Sequence, residues 1–155
     1  MIFRKQIAPL VVSGILGVTP VLVFAGAHTY NPDDPVPMTV APLAALDFQP
    51  IRDGSTEMAV AWGDPTSGPS SVYLKFPPDF PMGLHTHTSN YHAVVIQGTT
   101  KHWDVDESEA DARLLGPGDY WFQGANRMHQ DSYPSEEEVI VFIHFDGPID
   151  FIDAE

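Results

Sequence analysis

The 155-residue chain contains no cysteine and few basic residues. Without cysteine it can form neither disulfides nor thiolate metal sites, so its fold depends on its core and on any bound ion. Seven Lys and Arg residues stand against 21 Asp and Glu residues, which gives a formal charge of −14 at pH 7. This charge repels phosphate backbones and anionic membrane surfaces, so we expect no nucleic-acid partner.

Long amphipathic helices are also missing, because no ten-residue stretch shows a clean 3.6-residue period with capping residues. Short β-type runs separated by Gly and Pro turns are present instead, and residues 108–115 can hold one helical turn. The pattern predicts an all-β sandwich or barrel. The predicted strands cover residues 58–62, 71–76, 91–97, 99–105, 120–123 and 138–145.

The first 27 residues have the pattern of a secretory signal peptide. Arg4 and Lys5 precede an apolar run, and the small residues at 25–27 suit signal peptidase. Cleavage before His28 would leave five cations and all 21 acids, a formal charge of −16. We therefore expect an exported protein that is periplasmic or secreted. We expect no membrane partner for its mature form. Because the apolar run approaches the length of a spanning helix, an uncleaved anchor is the alternative.

The rest of the chain divides into an arm and one domain. Residues 28–45 are rich in proline and lack a period, which is typical of an extended arm. Residues 46–155 have a length that suits a single domain, and we find no internal repeat in them.

Three histidines form the most informative pattern. His85 and His87 are two residues apart, and in an extended strand such residues share a face. His129 follows a turn that begins at Gly118. Together they predict a site for one divalent metal ion, with zinc, iron and manganese left undecided. Because binding requires deprotonated imidazoles, it should weaken below about pH 6.5, the ordinary range of a histidine pKa.

Two stretches around these histidines resemble the signature motifs of the cupin superfamily. Residues 85–98 are similar to H-x-H, three or four residues, Glu, six residues, Gly, and residues 118–129 are similar to G-x5-P-x-G-x2-H. Residues 60–87 and 139–151 look most like small single-domain cupins of the ChrR-like type. The resemblance implies a double-stranded β-helix, or jelly-roll barrel, with the metal ion held inside it.

The chain has no glutamate where the first motif has one. Counting back six residues from Gly98 places Tyr91 at that position, whereas counting forward from His87 places His92 there. Neighbouring strand residues face opposite sides, so only one of the two can point inward. We favour Tyr91, because this register satisfies the motif without a bulge.

These departures predict a site with three neutral imidazoles and no obligatory carboxylate, which favours an anionic or enolisable oxygen ligand, hydroxide or O₂. Tyr91 can hydrogen-bond to a substrate or bind the metal as a phenolate, and Gln123 can supply an amide; these two are the candidate catalytic residues. Asn126 replaces the glycine of the second motif and tolerates a positive φ. His102, next to Trp103, is interpreted as part of a pair on the sheet surface.

We therefore expect a metal-dependent enzyme that acts on a small molecule, with a dioxygenase-type oxidation of an oxygen-chelating substrate as the first hypothesis. Three-histidine cupins give this its precedent by resemblance. A non-catalytic metal-binding, ligand-binding or sensor module is the alternative, and a metal-assisted hydrolase or isomerase is the third. Cupins commonly pair through N-terminal strands, so the resemblance also implies a homodimer formed through the proline-rich arm.

Overall fold

The computed structural model describes residues 38–52 and 54–154. The predicted signal segment 1–27 and the first part of the arm, 28–37, lie outside the described residues. None of the helices in the described part of the chain is long and apolar enough to span a membrane.

The described residues form an all-β fold with one short 3-10 helix, as the sequence predicts. The helix covers Leu43–Ala45, and the strands in chain order are β1 Gln49–Ile51, β2 Thr56–Gly63, β3 Ser70–Phe76, β4 His85–Thr86, β5 Tyr91–Gln97, β6 Thr100–Asp104, β7 Leu114–Leu115, β8 Tyr120–Gln123, β9 His129–Ser132, β10 Val139–Phe145 and β11 Ile152–Asp153.

Two antiparallel sheets build the barrel. The first has the strand order β1-β2-β3-β10-β5-β8, and the second has the order β11-β4-β9-β6-β7. The apolar core lines the inner face of the first sheet, where Val72, Ala93 and Val141 are almost completely buried. Strands that follow one another in the sequence often lie in different sheets, so residues far apart in the sequence meet inside the barrel.

The long predicted strands are confirmed. All six are present, and their ends differ from the predicted ones by no more than two residues. In β5 the buried residues are Tyr91, Ala93 and Val95, whereas His92 is exposed. This alternation confirms the register that points Tyr91 into the barrel.

The turn before β9 carries the asparagine that replaces a glycine of the second motif. Asn126 has a φ of 58°, the left-handed conformation that Asn accepts more readily than other side chains. Its backbone N–H donates to the carbonyl oxygen of His87 at 2.8 Å. The turn therefore survives the replacement and is joined to the H-x-H segment.

Candidate metal centre

The pairing of β4 with β9 brings the three predicted metal ligands together. His85 and His129 are the first residues of these strands and stand opposite each other in the antiparallel register. His87 lies two residues after His85, and all three side chains are buried. One nitrogen of each ring lies within 4.8 Å of the others, so the three imidazoles form a single cluster.

A backbone carbonyl orients each ring of this triad at its Nδ1 atom. Because a carbonyl oxygen can only accept, each neutral ring carries its proton on Nδ1 and keeps the Nε2 lone pair available. Metal-binding histidines are oriented in the same way in other proteins. The three hydrogen bonds join His85 to Gly83 at 2.8 Å, His87 to Asp150 at 2.5 Å, and His129 to Arg127 at 3.0 Å.

A carboxylate that the sequence analysis did not single out also lies beside the triad. Asp131 follows His129 by two residues on β9, is 7% exposed, and places Oδ2 3.7 Å from Nε2 of His85. The spacing signal was present, because residues two apart on a strand share a face. The rule that paired His85 with His87 also places Asp131 beside His129.

His102 lies inside the barrel and holds this carboxylate. It stands opposite Asp131 in the pairing of β6 with β9, and its Nδ1 donates to Asp131 Oδ1 at 2.7 Å. The amide nitrogen of Gln123 donates to the carbonyls of Gly124 and Arg127, which directs its oxygen to Nε2 of His102 at 2.9 Å. Both ring nitrogens of His102 therefore donate, and the ring is an imidazolium.

The interpretation of His102 and Trp103 as a pair on the sheet surface is wrong, because neither side chain lies on that surface. His102 packs against Trp121 with ring centroids 5.3 Å apart, and Trp103 is itself buried. The cross-strand partner of His102 decides which way it faces, and that partner is 29 residues away in the sequence. No local pattern around His102 contains this information.

Burial and neighbouring charges divide the four histidines into two classes. Burial lowers the pKa of each triad histidine, in the case of His129 to about 4, so these rings are neutral at pH 7. Burial also acts to lower the pKa of His102, but the hydrogen bond to Asp131 and its negative charge outweigh burial and raise it. Burial acts to raise the pKa of Asp131, and the bond to His102 lowers it. Asp131 and His102 thus form a buried ion pair.

Tyr91 points at the triad from the first sheet. Its Oη lies 3.3 Å from Nε2 of His129, to which it donates, and it accepts from Nε1 of Trp121 at 3.4 Å. Burial and the charge of Asp131 raise the pKa of Tyr91 well above its ordinary value, so the side chain is a neutral phenol. Gln123, the other candidate catalytic residue, is buried as well, but its amide serves His102 and two carbonyls.

The donor atoms of the cluster fit a divalent cation. Near pH 7, Nε2 of His85 and Oδ2 of Asp131 face each other as two acceptors with no proton between them. Such lone pairs repel each other in a buried site unless a cation lies between them. One ligand atom each of His102, His129 and Asp131 also lies within 4.8 Å of the other two. This set is the weaker candidate, because both nitrogens of His102 already carry protons.

A cavity of about 280 Å³ opens from the cluster between the two sheets. Its polar end is formed by His85, His87, Tyr91 and Asp131, and its walls are mostly aliphatic and aromatic. A volume of this size lies at the lower end of the range for small-molecule sites. The arrangement therefore suits a small, largely apolar ligand with a polar group directed at the histidines.

The solved structures similar to this chain include RmlC-like cupins. They include an RmlC-like cupin from Shewanella frigidimarina NCIMB 400, with 15% identity, a TM-score of 0.55, and coverage of 73% of this chain and 93% of that one. The polyketide cyclase RemF from Streptomyces resistomycificus has 13% identity and a TM-score of 0.60, with coverage of 76% and 86%. The DMSP lyase DddQ from Ruegeria pomeroyi DSS-3 has 14% identity and a TM-score of 0.57, and the match covers 79% of this chain and 73% of that one.

At these identities the likeness establishes the fold, a double-stranded β-helix, and not the activity. Proteins with this fold include enzymes, and cupins commonly bind metal ions. No curated protein sequence matches the chain. Residues 46–150 match the family described as a domain of unknown function, DUF4437. The chain therefore belongs to this cupin-like family.

Proposed function

We propose that the chain binds one divalent metal ion and is a metal-dependent enzyme acting on a small, oxygen-bearing molecule. The proposed ligands are the Nε2 atoms of His85, His87 and His129, with Oδ2 of Asp131 as a fourth. One observation carries this proposal: one nitrogen of each triad ring lies within 4.8 Å of the others, while the Nδ1 proton of each ring is directed to a backbone carbonyl. Zinc, iron and manganese all accept such a mixed nitrogen and oxygen set.

The residues around the ligands have separate roles. A divalent ion at this position supplies Lewis acidity and, in the case of iron or manganese, electron transfer with O₂. Tyr91 keeps its proton at neutral pH. Its hydroxyl donates to Nε2 of His129 here, and with a metal ion on that nitrogen it would be free to donate to a substrate oxygen in the cavity. His102 neutralises Asp131 and fixes its orientation, and Gln123 holds His102. His102 and Gln123 are positioning residues, because neither lines the cavity.

The reaction we propose is a dioxygenase-type oxidation. In such a reaction both atoms of O₂ enter the substrate, which supplies the electrons, so no other reductant is required. The apolar walls of the cavity support this choice. No carboxylate among the described lining residues is free to act as a general base, since Asp131 is paired with His102 and Asp150 accepts from Thr88 at 2.5 and 2.9 Å. A reaction that begins with proton abstraction from carbon would need such a base.

The same lack of a free base supports the second candidate, a non-catalytic ligand-binding or sensor module. The two candidates differ in one observable property, because only the enzyme converts its ligand. Export to the periplasm or beyond and a ChrR-like role stay predictions from the sequence in either case.

Oxygen consumption by protein loaded with a known metal tests the proposal. The full chain is loaded without oxygen with Fe²⁺, Mn²⁺ or Zn²⁺, its metal content is measured, and phenols and diketones are supplied as substrates. We expect one metal ion per chain in each case and oxygen uptake with iron or manganese only. If the iron-loaded protein consumes no oxygen and a co-purified ligand is recovered unchanged, the binding-module candidate replaces the enzyme.

Tyr91→Phe separates the role of the phenol from that of the ligands. We expect full metal content and turnover reduced about 10²-fold, because the lost hydroxyl would stabilise charge on the substrate oxygen. Tyr120→Phe is the matched control, since Tyr120 is exposed and bonds His92 on the outer face. Loss of the metal in Tyr91→Phe would instead make the phenol oxygen a ligand.

A further inference from the structure

The cavity contains a single basic residue apart from its histidines. Among the described residues that line it, Arg52 is the only Lys or Arg. It lies in the turn between β1 and β2, and its side chain is 44% exposed. In a chain with a formal charge of −14, a cation at the edge of an apolar cavity is a local exception.

The side chain of Arg52 is directed toward the cavity and lies on an aromatic ring. Its guanidinium carbon is 3.7 Å from the centre of the Phe151 ring. Phe151 also stacks on His85, with ring centroids 4.2 Å apart and an interplanar angle of 17°. Because one face of a ring has room for only one flat group at such distances, Phe151 lies between Arg52 and His85. The cation and the triad are thus separated by one aromatic ring.

The backbone at Arg52 adopts a conformation that few side chains accept. Its φ is 55°, in the left-handed region that disfavours residues with a Cβ atom. The turn around it is closed by the N–H of Gly54, which donates to Ile51 O at 2.9 Å. Non-glycine residues held in this region concentrate at ligand-binding and active sites. The position of the guanidinium is thus set by a constrained turn.

Among the described residues, the carboxylate that lies within 4.0 Å of the Arg52 guanidinium is that of Asp153, which is 72% exposed. This distance exceeds that of a hydrogen bond. A guanidinium presents five N–H donors in a planar fork that matches the two oxygens of a carboxylate.

We propose that the natural ligand is a small amphipathic carboxylate. Its carboxylate group binds Arg52 at the mouth, its apolar body fills the cavity, and a second oxygen at its other end reaches the histidine cluster. This inference rests on the proposed function, because the second oxygen is the group that would approach the metal ion. It adds the chemical class of the substrate and a residue that determines specificity.

A pair of probes that differ only in charge tests the inference. Calorimetry on the zinc-loaded full chain compares 4-hydroxyphenylacetate with its neutral amide, 4-hydroxyphenylacetamide. We expect the carboxylate to bind at least about tenfold more tightly, since charge-assisted bonds to a guanidinium are roughly twice as strong as neutral ones. Arg52→Met should abolish this preference, and Arg52→Lys should retain part of it. Arg113→Met, which removes an exposed arginine that does not line the cavity, should leave the preference unchanged.

Several results would overturn the inference without touching the metal site. Equal affinity of the wild-type protein for both probes, or binding of neither, would do so, and this comparison needs no variant to fold. A preference that persists in folded Arg52→Met would assign the anion to another group. Metal content is measured on the same samples, so a loss of zinc from the wild type would mark failure of the proposed function instead.

Discussion

The chemistry of the candidate centre depends on where the imidazole protons lie. A carbonyl behind Nδ1 of each triad ring leaves Nε2 as an acceptor, whereas the carboxylate and amide around His102 make that ring a double donor. Identical side chains in one cluster therefore have different roles. Three are suited to bind a cation, and the fourth stabilises an anion.

Removing one triad ring should remove the metal. In His87→Ala we expect metal affinity to fall by more than about 10²-fold. Losing a residue that only orients a metal ligand costs about 10- to 100-fold, and losing the ligand itself should cost more. Elemental analysis after desalting should then find little bound ion. His92→Ala is the control, because His92 is exposed on the opposite face of β5 and should keep a full complement. Normal metal content in His87→Ala would reject His87 as a ligand.

Metal retention should persist at a lower pH than the sequence alone suggested. Burial lowers the pKa values of the triad histidines, that of His129 to about 4, so their neutral, metal-binding form survives below pH 6.5 and is lost as the pH falls through the lowered values. We expect the midpoint of metal release, measured by dialysis at a series of pH values, to lie below pH 6.5. Half-release at pH 6.5 would show that the rings behave like free histidines.

At the scale of strands and turns, the length of an element determines how well the sequence predicts it. In β5 buried residues alternate with more exposed ones, and β5 and β10 were predicted to within one residue. The strands that the sequence did not predict, β1, β4, β7, β9 and β11, have two to four residues, too few for a period to appear; β8, which has four residues between turn sequences, was predicted all the same. The unpredicted strands form because partner strands in their sheet offer them hydrogen bonds, and for β4, β9 and β11 those partners are distant in the sequence, which is a tertiary effect.

The parts of the candidate site that could be predicted are those encoded by spacing within one stretch of sequence. His85, His87, His129 and Tyr91 lie in motifs with fixed spacing, and all four meet in the structure. The pair of His102 and Asp131 depends on the register between β6 and β9, which no single stretch of sequence encodes. A spacing rule could indicate the face of Asp131, but only the fold supplies its partner.

Gly98 connects β5 to β6 in a turn that leaves little space for a side chain. It has a φ of 73°, and an added Cβ would lie 2.9 Å from Cγ2 of Val139 and 3.1 Å from the carbonyl oxygen of Glu138. We expect Gly98→Ala to lower the free energy of unfolding by about 1–3 kcal/mol, measured by urea denaturation. Gly116→Ala, where a Cβ would meet nothing within 4 Å, should change it little. Equal stability of the two variants would contradict this account of the turn.

At the scale of the whole molecule, the arm is the part whose role a single chain does not explain. Met38 and Val40 are 89% and 76% exposed, although both are apolar. Contact with a second copy would bury them, which agrees with the homodimer predicted from the resemblance to cupins. The oligomeric state stays a prediction.

Light scattering after gel filtration tests the role of the arm. We expect the protein with its arm to have the mass of a dimer, and a variant that lacks residues 28–42 to have the mass of a monomer with its metal site intact. A dimer that survives the deletion would exclude the arm as the interface. A monomer in both cases would exclude the homodimer.

The central claim is that one cation is held by the triad and Asp131 inside the barrel. An anomalous difference map from a crystal of the zinc-loaded full chain tests it most directly. We predict one peak at about 2.0–2.1 Å from Nε2 of His85, His87 and His129, with Oδ2 of Asp131 in the fourth position. A map without that peak, or with zinc only on the exposed His92, would contradict the account.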